Sequence, residues 1–271
     1  MAFFVDFTVA ICIYNYWFLK YILTVKSVRI MSFCMRYVIF AFVILISSVS
    51  AVSISNIGGS YTDSFDDTSG DFSNRLNWTA SGYSSVDDLD RGVTDFGVTT
   101  GGLYSFNTSN GGYAWGIQPT GTDFSPGEML FFVTNNTGQT VNTIEVSFDL
   151  LVYNDQDRSS SIDFAFSTDG ATTYTDLVAF SSAEAADTSA SIASHSYSFT
   201  TAAGNAISTS LSDGNSAYFR FAIDDLGGSG SRDEFAVDNV MVTFIPEPSS
   251  SALVVIGLST LIKRRRRSLS H

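Results

Sequence analysis

Across the second half of the chain, apolar side chains recur at every second position, not every third or fourth. In "NTIEVSFDLLVY" (142–153), Ile144, Val146, Phe148, Leu150 and Val152 share one side of an extended chain, and in "SIDFAFS" Ile162, Phe164 and Phe166 do the same. "AYFRFAIDD" sets Phe219, Phe221 and Ile223 against Tyr218, Arg220 and Ala222, and "EFAVDNVMVTF" carries Phe235, Val237, Val240 and Val242. A period of two marks strands with one buried face. Gly, Asn and Asp turns separate these runs, and "LYSFNTSNGGYAW" reads as a hairpin with a glycine-rich tip. The pattern predicts an all-β two-sheet sandwich over residues 52–244, long enough to bury a core without disulfides. The Ser/Ala-rich stretch "SSAEAADTSASIASHS" (181–196) interrupts the alternation and is expected to be a long loop or a short helix.

The pattern changes at both ends. Residues 35–51, "MRYVIFAFVILISSVSA", combine a cation at Arg36, an apolar run from Tyr37 to Ile46 and small residues ending at Val49-Ser50-Ala51. This is the layout of a secretory signal cleaved after Ala51. Residues 1–34 hold a second apolar stretch broken by Asp6, Asn15 and Lys20. Either translation begins at Met31 or Met35 and the start is mis-called, or the chain has an extra span. Polar residues inside a span are costly, which favours the mis-called start. At the other end (245–271), Pro246-Glu247-Pro248 precedes an apolar run from Ala252 to Ile262, followed by Lys263, Arg264, Arg265, Arg266 and Arg267. The run is well short of the ~20 residues a spanning helix needs. Its cations stay on the cytoplasmic side, so the segment is expected to stall in the membrane. The two prolines hold the preceding backbone extended just outside the lipid.

Pro246-Glu247-Pro248, the short apolar helix and the Arg cluster together resemble the PEP-CTERM sorting signal. That resemblance implies reading by exosortase, a membrane transpeptidase-like enzyme of Gram-negative bacteria that make exopolysaccharide. Pro246, Glu247 and Pro248 would be the recognition motif, Ala252–Ile262 the transient anchor and Arg264–Arg267 the stop. A second stretch, from "DRGVTDFGVTTGG" through "FAFSTDGATTYTDL" to "FAVDNVMVTF", is similar to the jelly-roll domains common in PEP-CTERM proteins. It implies a jelly-roll-like sandwich in an exported setting, without assigning a reaction.

Charge sharpens the picture. The chain has 14 Lys plus Arg against 27 Asp plus Glu. Four of the basic residues lie in the first 51 and five in the last nine, whereas all the acids except Asp6 lie between them. The middle is therefore strongly acidic and contains no lysine, which excludes nucleic acid as its partner. Cys12 and Cys34 both fall in the N-terminal apolar region, so the middle has neither a disulfide nor a thiolate site.

Candidate chemistry is diffuse. "STDGATTY" resembles an Asp box, a turn in which the Asp side chain ties a hairpin, with Ser167, Asp169 and Thr173 in place but Ala171 and Tyr174 departing from the motif. Asp155, Asp157, Asp224, Asp225 and Asp238 offer oxygen ligands for Ca2+, either as a noncontiguous site at a sandwich edge or as solvated loop acids. Trp78, Tyr83, Tyr104, Tyr113 and Trp115 are candidates for stacking on sugar rings, or else fill the core. No carboxylate pair stands out as a hydrolase. A Ser-His-Asp triad would need His195, and no G-x-S-x-G elbow accompanies it. One histidine without cysteine argues against zinc. These observations point first to an exported, non-catalytic surface or matrix protein held in the envelope or in extracellular polysaccharide. A carbohydrate-binding protein and a secreted polysaccharide hydrolase are the alternatives.

Overall fold

The structure, a computed structural model, describes residues 52–66, 75 and 77–245. The apolar extension, the signal with Ala51, and the sorting segment from Pro246 through Arg267 lie outside the described residues. Among the described residues no helix is long and apolar enough to cross a membrane.

In chain order the strands are β1 (Ser53–Ile54), β2 (Ser60–Asp63), β3 (Trp78–Ser81), β4 (Val93–Thr94), β5 (Gly102–Asn107), β6 (Tyr113–Gln118) and β7 (Gly127–Asn135). They continue with β8 (Val141–Tyr153), β9 (Arg158–Ser167), β10 (Thr175–Ser181), β11 (Ile192–Phe199), β12 (Ile207–Leu211), β13 (Ser216–Gly228) and β14 (Glu234–Ile245). One sheet runs β1-β7-β13-β9-β10, with β3 also on β7. The other runs β11-β8-β14-β6-β5-β4, with β12 also on β8 and β2 on β14. β1 pairs with β7, and β4 with β5, in parallel; the other pairings are antiparallel. The fold is thus an all-β sandwich, as the alternation predicts.

The predicted inward sets meet between the sheets. Ile144, Val146, Phe148, Leu150 and Val152 of β8 are buried against Phe219, Phe221 and Ile223 of β13 and Ile162 and Phe164 of β9. Aromatic rings dominate the contact. Phe221 lies 4.8 Å from Phe164 and 5.0 Å, edge to face, from Phe148, while Phe131 stacks at 4.7 Å on both Trp78 and Phe219. The step of three between Val237 and Val240 also has a cause. A bulge interrupts β14 between Asp238 and Met241, with Asn239 at φ 53°, so the inward phase resumes one residue late.

The stretch 181–196 is the expected loop over residues 182–191 but departs from expectation beyond it. Ser181 closes β10, and from Ile192 the chain forms β11, registered on β8 from Ile192↔Tyr153 to Phe199↔Val146. Tyr197 and Phe199 dock on the core, and this long-range pairing overrides a bland local composition. A 3-10 turn, Val86–Leu89, is capped by Ser85.

The two outer faces differ. On the β8/β14 sheet, Tyr104, Phe106, Ala114, Leu151 and Ala236 form a second buried cluster, roofed by Phe96 and Val98. Phe96 stacks on Phe106 at 4.3 Å. Gly116 is required beneath it, since a Cβ there would sit 2.4 Å from the Phe235 carbonyl oxygen and 2.7 Å from Phe106. The roof is fastened where the Gly97 amide donates to Glu234 Oε1 at 2.8 Å. The β7/β13/β9 sheet has no second buried cluster of this kind among the described residues.

The Asp-box-like turn is built as expected. Asp169 accepts from Ser167 Oγ (2.6 Å), from the amides of Thr172 and Thr173 (3.0 Å each) and from Thr173 Oγ1. These donors hold its carboxyl well below the usual range. Asp169→Ala is expected to lower Tm measurably and to loosen the 168–173 turn, with faster amide exchange at Thr172 and Thr173 as the check.

Candidate functional site

The open outward face of the β7/β13/β9 sheet carries a concentrated set of groups. Because inward residues alternate with outward ones, burying Phe219, Phe221 and Ile223 turns Tyr218, Arg220, Ala222 and Asp224 outward on the central strand β13. Register then fixes their neighbours. Tyr218 lies between Phe132 and Ser167, Arg220 between Leu130 and Ala165, and Ala222 between Glu128 and Asp163.

The geometry runs along β13. At one end, small Ala222 floors a depression of about 450 Å3 lined by Ser81, Glu128, Ser161, Asp163 and Asp224. With neighbouring strands ~4.8 Å apart, the Glu128 and Asp163 backbones stand roughly 10 Å apart across this floor. Ser81 Oγ donates to Glu128 Oε1 at 3.4 Å. In the middle, the Arg220 guanidinium sits 4.0 Å from the centroid of the Tyr174 ring, a cation–π contact. Among the described residues Arg220 has no ion-pair partner within 4 Å. Ala165, the outward residue beside it in register, is fully buried. Further along, the rings of Phe132 and Tyr218 lie 5.6 Å apart, both half-buried. A second depression of about 360 Å3 follows, between Tyr218, Ser216 and the Asp169 turn. Burial, then the neighbouring Asp176, raises the Asp163 carboxyl above its ordinary range, and Arg220 opposes that rise. Flat rings, a fixed guanidinium and carboxylates thus lie along one trough, able to stack on an extended ligand and hydrogen-bond its hydroxyls.

The stacking candidates drawn from the sequence are placed otherwise. Trp115 is 1% exposed, Trp78 4% and Tyr104 6%. Trp78 and Trp115 both pack edge-on against Phe65 between the sheets, and Tyr104 lies under the roof of the other sheet. None of these three can stack on a sugar. Tyr83 is half-buried against Phe124, and Tyr113, also half-buried, opens β6 opposite Asn107. The hairpin itself is as predicted, but its aromatics serve packing.

The acids proposed for Ca2+ are not brought together. Asp224 and Asp225 lie on β13 and Asp238 on β14, and the two strands belong to opposite sheets. Asp225 is committed to Arg158 and Arg232, and the Arg158 hydrogen bond holds its carboxyl down at about 2. Asp157 accepts from the Ala186 amide. Asp238 faces Asp149 across the strands, and Asn239 Nδ2 donates to both. Burial, with Asp66, Asp149 and Asp63 nearby, pushes Asp238 up to about 6. Among the described residues no three His, Cys, Asp or Glu side chains are grouped as a metal would need. His195 packs its ring 4.8 Å from that of Phe180.

Sequence reasoning passed over Phe132, Tyr174, Tyr218, Arg220, Glu128 and Asp163 as site residues. The usable signal was phase. In a chain whose outward strand positions are mostly Ser, Thr and Asp, Tyr218 and Arg220 place an aromatic and a cation where the pattern calls for small polar groups.

No family model and no curated protein matches the chain. Among solved structures it is similar to the K1 cleaved adhesin domain of Lys-gingipain from Porphyromonas gingivalis (10% identity, TM-score 0.41, covering 70% of this chain and 100% of that one). It is similar as well to the CBM22-1 xylan-binding domain of Paenibacillus barcinonensis Xyn10C (10% identity, TM-score 0.39, covering 72% and 99%). A third is a non-crystalline cellulose-specific carbohydrate-binding module, CBM28 (12% identity, TM-score 0.39, covering 72% and 99%).

Proposed function

We propose that this protein is an exported, jelly-roll-like polysaccharide-binding protein that holds its ligand along the outward trough of the β7/β13/β9 sheet. The observation that supports the reading is the row Phe132, Tyr218, Arg220 over Tyr174, then Glu128 and Asp163 about Ala222, set on a face that has no second buried apolar cluster among the described residues. Rings and hydroxyl partners at strand spacing suit an extended carbohydrate chain better than a compact ligand. The role is binding, not turnover. Affinity electrophoresis of the purified protein through gels containing a panel of neutral and acidic polysaccharides tests it. Retardation by at least one polysaccharide, without release of reducing ends, is expected. Free migration in every gel contradicts binding, and sugar release would make the carboxylates a hydrolytic pair.

The sorting reading rests on Pro246-Glu247-Pro248, the short apolar run and the cations through Arg267. Exosortase is its partner, and the envelope or the extracellular matrix its destination after transient membrane anchoring. Mass spectrometry of the protein from its own cells is expected to show a chain starting after Ala51 and lacking the arginine tail, with the tail kept when exosortase is removed. An intact tail in cells with active exosortase contradicts it.

A further inference from the structure

At the end of the sandwich where β8 turns into β9, three buried side-chain oxygens have no hydrogen-bond partner: Asn154 Oδ1, Ser160 Oγ and Asp233 Oδ1. They belong to one connected patch. Asn154 Nδ2 donates to the carbonyls of Ala183 (2.8 Å) and Ala185 (3.1 Å). Ser182, just before them, accepts at Oγ from the Ser160 amide at 2.9 Å and is hydrogen-bonded to Asp233 Oδ2. Glu234 pairs with Tyr153, so one step further along the ladder Asp233 and Asn154 stand opposite each other. Both continue the inward phase of Phe235 and Val152, as Ser160 continues that of Ile162. The residue after β8, one residue of β9 and the residue before β14, from two sheets, each carry an orphan oxygen and are each hydrogen-bonded to the segment Ser182–Ala185.

The charge at this place is uncompensated. Asp233 is fully buried, and the arginines nearest to it in sequence and network, Arg158 and Arg232, are both taken by Asp225. Asp155 adds to the negative field at Asp233 and at Glu234, and its own carboxylate makes no hydrogen bond or ion pair among the described residues. A buried carboxylate without a counter-charge is strongly disfavoured, so a proton or a cation must neutralise it. The donors that remain are all hard oxygens: carboxylate, carboxamide and hydroxyl, with a second carboxylate at the rim. That set suits Ca2+, and its lack of nitrogen and sulfur argues against zinc and copper.

We propose that Asn154, Ser160 and Asp233, with Asp155 at the rim, form a buried cation site for Ca2+ that ties the β8–β9 turn, the end of β10 and the start of β14 together. This site is independent of what the outward trough binds. It also differs from the Ca2+ candidates read from the sequence, of which it retains Asp155 alone.

Titration of the chelator-stripped full chain with CaCl2, followed by calorimetry and by Tm at pH 7.5, tests it. One Ca2+ per chain is expected, with Tm rising in millimolar Ca2+ and falling again on chelation. Asp233→Asn should weaken binding at least tenfold, and Asp155→Asn, at the rim, should weaken it severalfold in a chain that still folds. Asp238→Asn, which alters the separate acidic group on the outer face, should leave binding unchanged. If a water or a shared proton satisfies these oxygens instead, Ca2+ will change neither heat nor Tm, and the proposal fails. It fails equally if Ca2+ binding survives Asp155→Asn and is lost in Asp238→Asn. Should Asp233→Asn not fold, the Asp155 and Asp238 variants still decide the question.

Discussion

Phe221→Ala is expected to lower the unfolding free energy by about 3–5 kcal/mol, the usual cost of emptying a large aromatic site in a packed core. Phe221 is 1% exposed and contacts rings from both sheets, Phe164 on its own and Phe148 on the facing one, so neither layer can close the gap without losing contacts to the other. In a domain of this size the loss should appear as a fall in Tm of roughly 10 °C, read by calorimetry or far-UV circular dichroism. Tyr218→Ala, three residues earlier on the same strand but outward, should shift Tm by no more than about 2 °C. The contrast between the two is itself a check on the strand phase that creates the trough.

The second large effect is electrostatic. Glu234 is fully buried beneath the Gly97–Val98 roof, and burial pushes its carboxyl up to about 8 from 4.5, with Asp155 adding to the rise and the amides of Gly97 and Val98 opposing it. Tyr153 and Tyr104 are the other titratable groups that feel its charge. A raised folded-state value means that the native protein holds the proton more tightly than the unfolded chain does. The stability this confers is complete below pH 4.5 and is lost as pH rises through about 8. The full span corresponds to at most ~5 kcal/mol. Asp233 and Asp238, both near 6, contribute in the same direction at lower pH, so the slope between pH 7 and 8.5 belongs mainly to Glu234. Glu234→Gln keeps an oxygen for the Gly97 amide and cannot ionise. Its denaturant midpoint should match wild type near pH 5 and exceed it at pH 9. An unchanged slope would place the proton elsewhere.

How much of this was legible beforehand varies by kind of feature. Strand phase was readable, because each buried run states its own alternation; even the late return at Val240 could be seen, though only the bulge at Asn239 explains it. What the alternation does not say is which outward face is later covered. Trp115 and Tyr104 belong to a hairpin whose tip looks exposed in sequence, yet its strands join β14 and are covered by residues outside the hairpin, Phe65 against Trp115 and Phe96 and Val98 over the Tyr104 cluster. The same long-range pairing separates Asp225 from Asp238, close in sequence but on opposite sheets. Tyr174 stood out only as the wrong residue in an Asp box; its service as a platform for Arg220 depends on folding β9 beside β13.

In the proposed function the glycan lies on the outward trough of the β7/β13/β9 sheet and not on the tryptophans. Calorimetric titration with oligosaccharides of whichever polysaccharide retards the protein, run on wild type, Tyr218→Ala, Arg220→Ala and the core control Trp115→Phe, measures it most directly. Affinity at least tenfold weaker, about 1.4 kcal/mol, is expected for the two trough variants, and wild-type affinity for Trp115→Phe. Unaltered binding in folded Tyr218→Ala and Arg220→Ala proteins would contradict it.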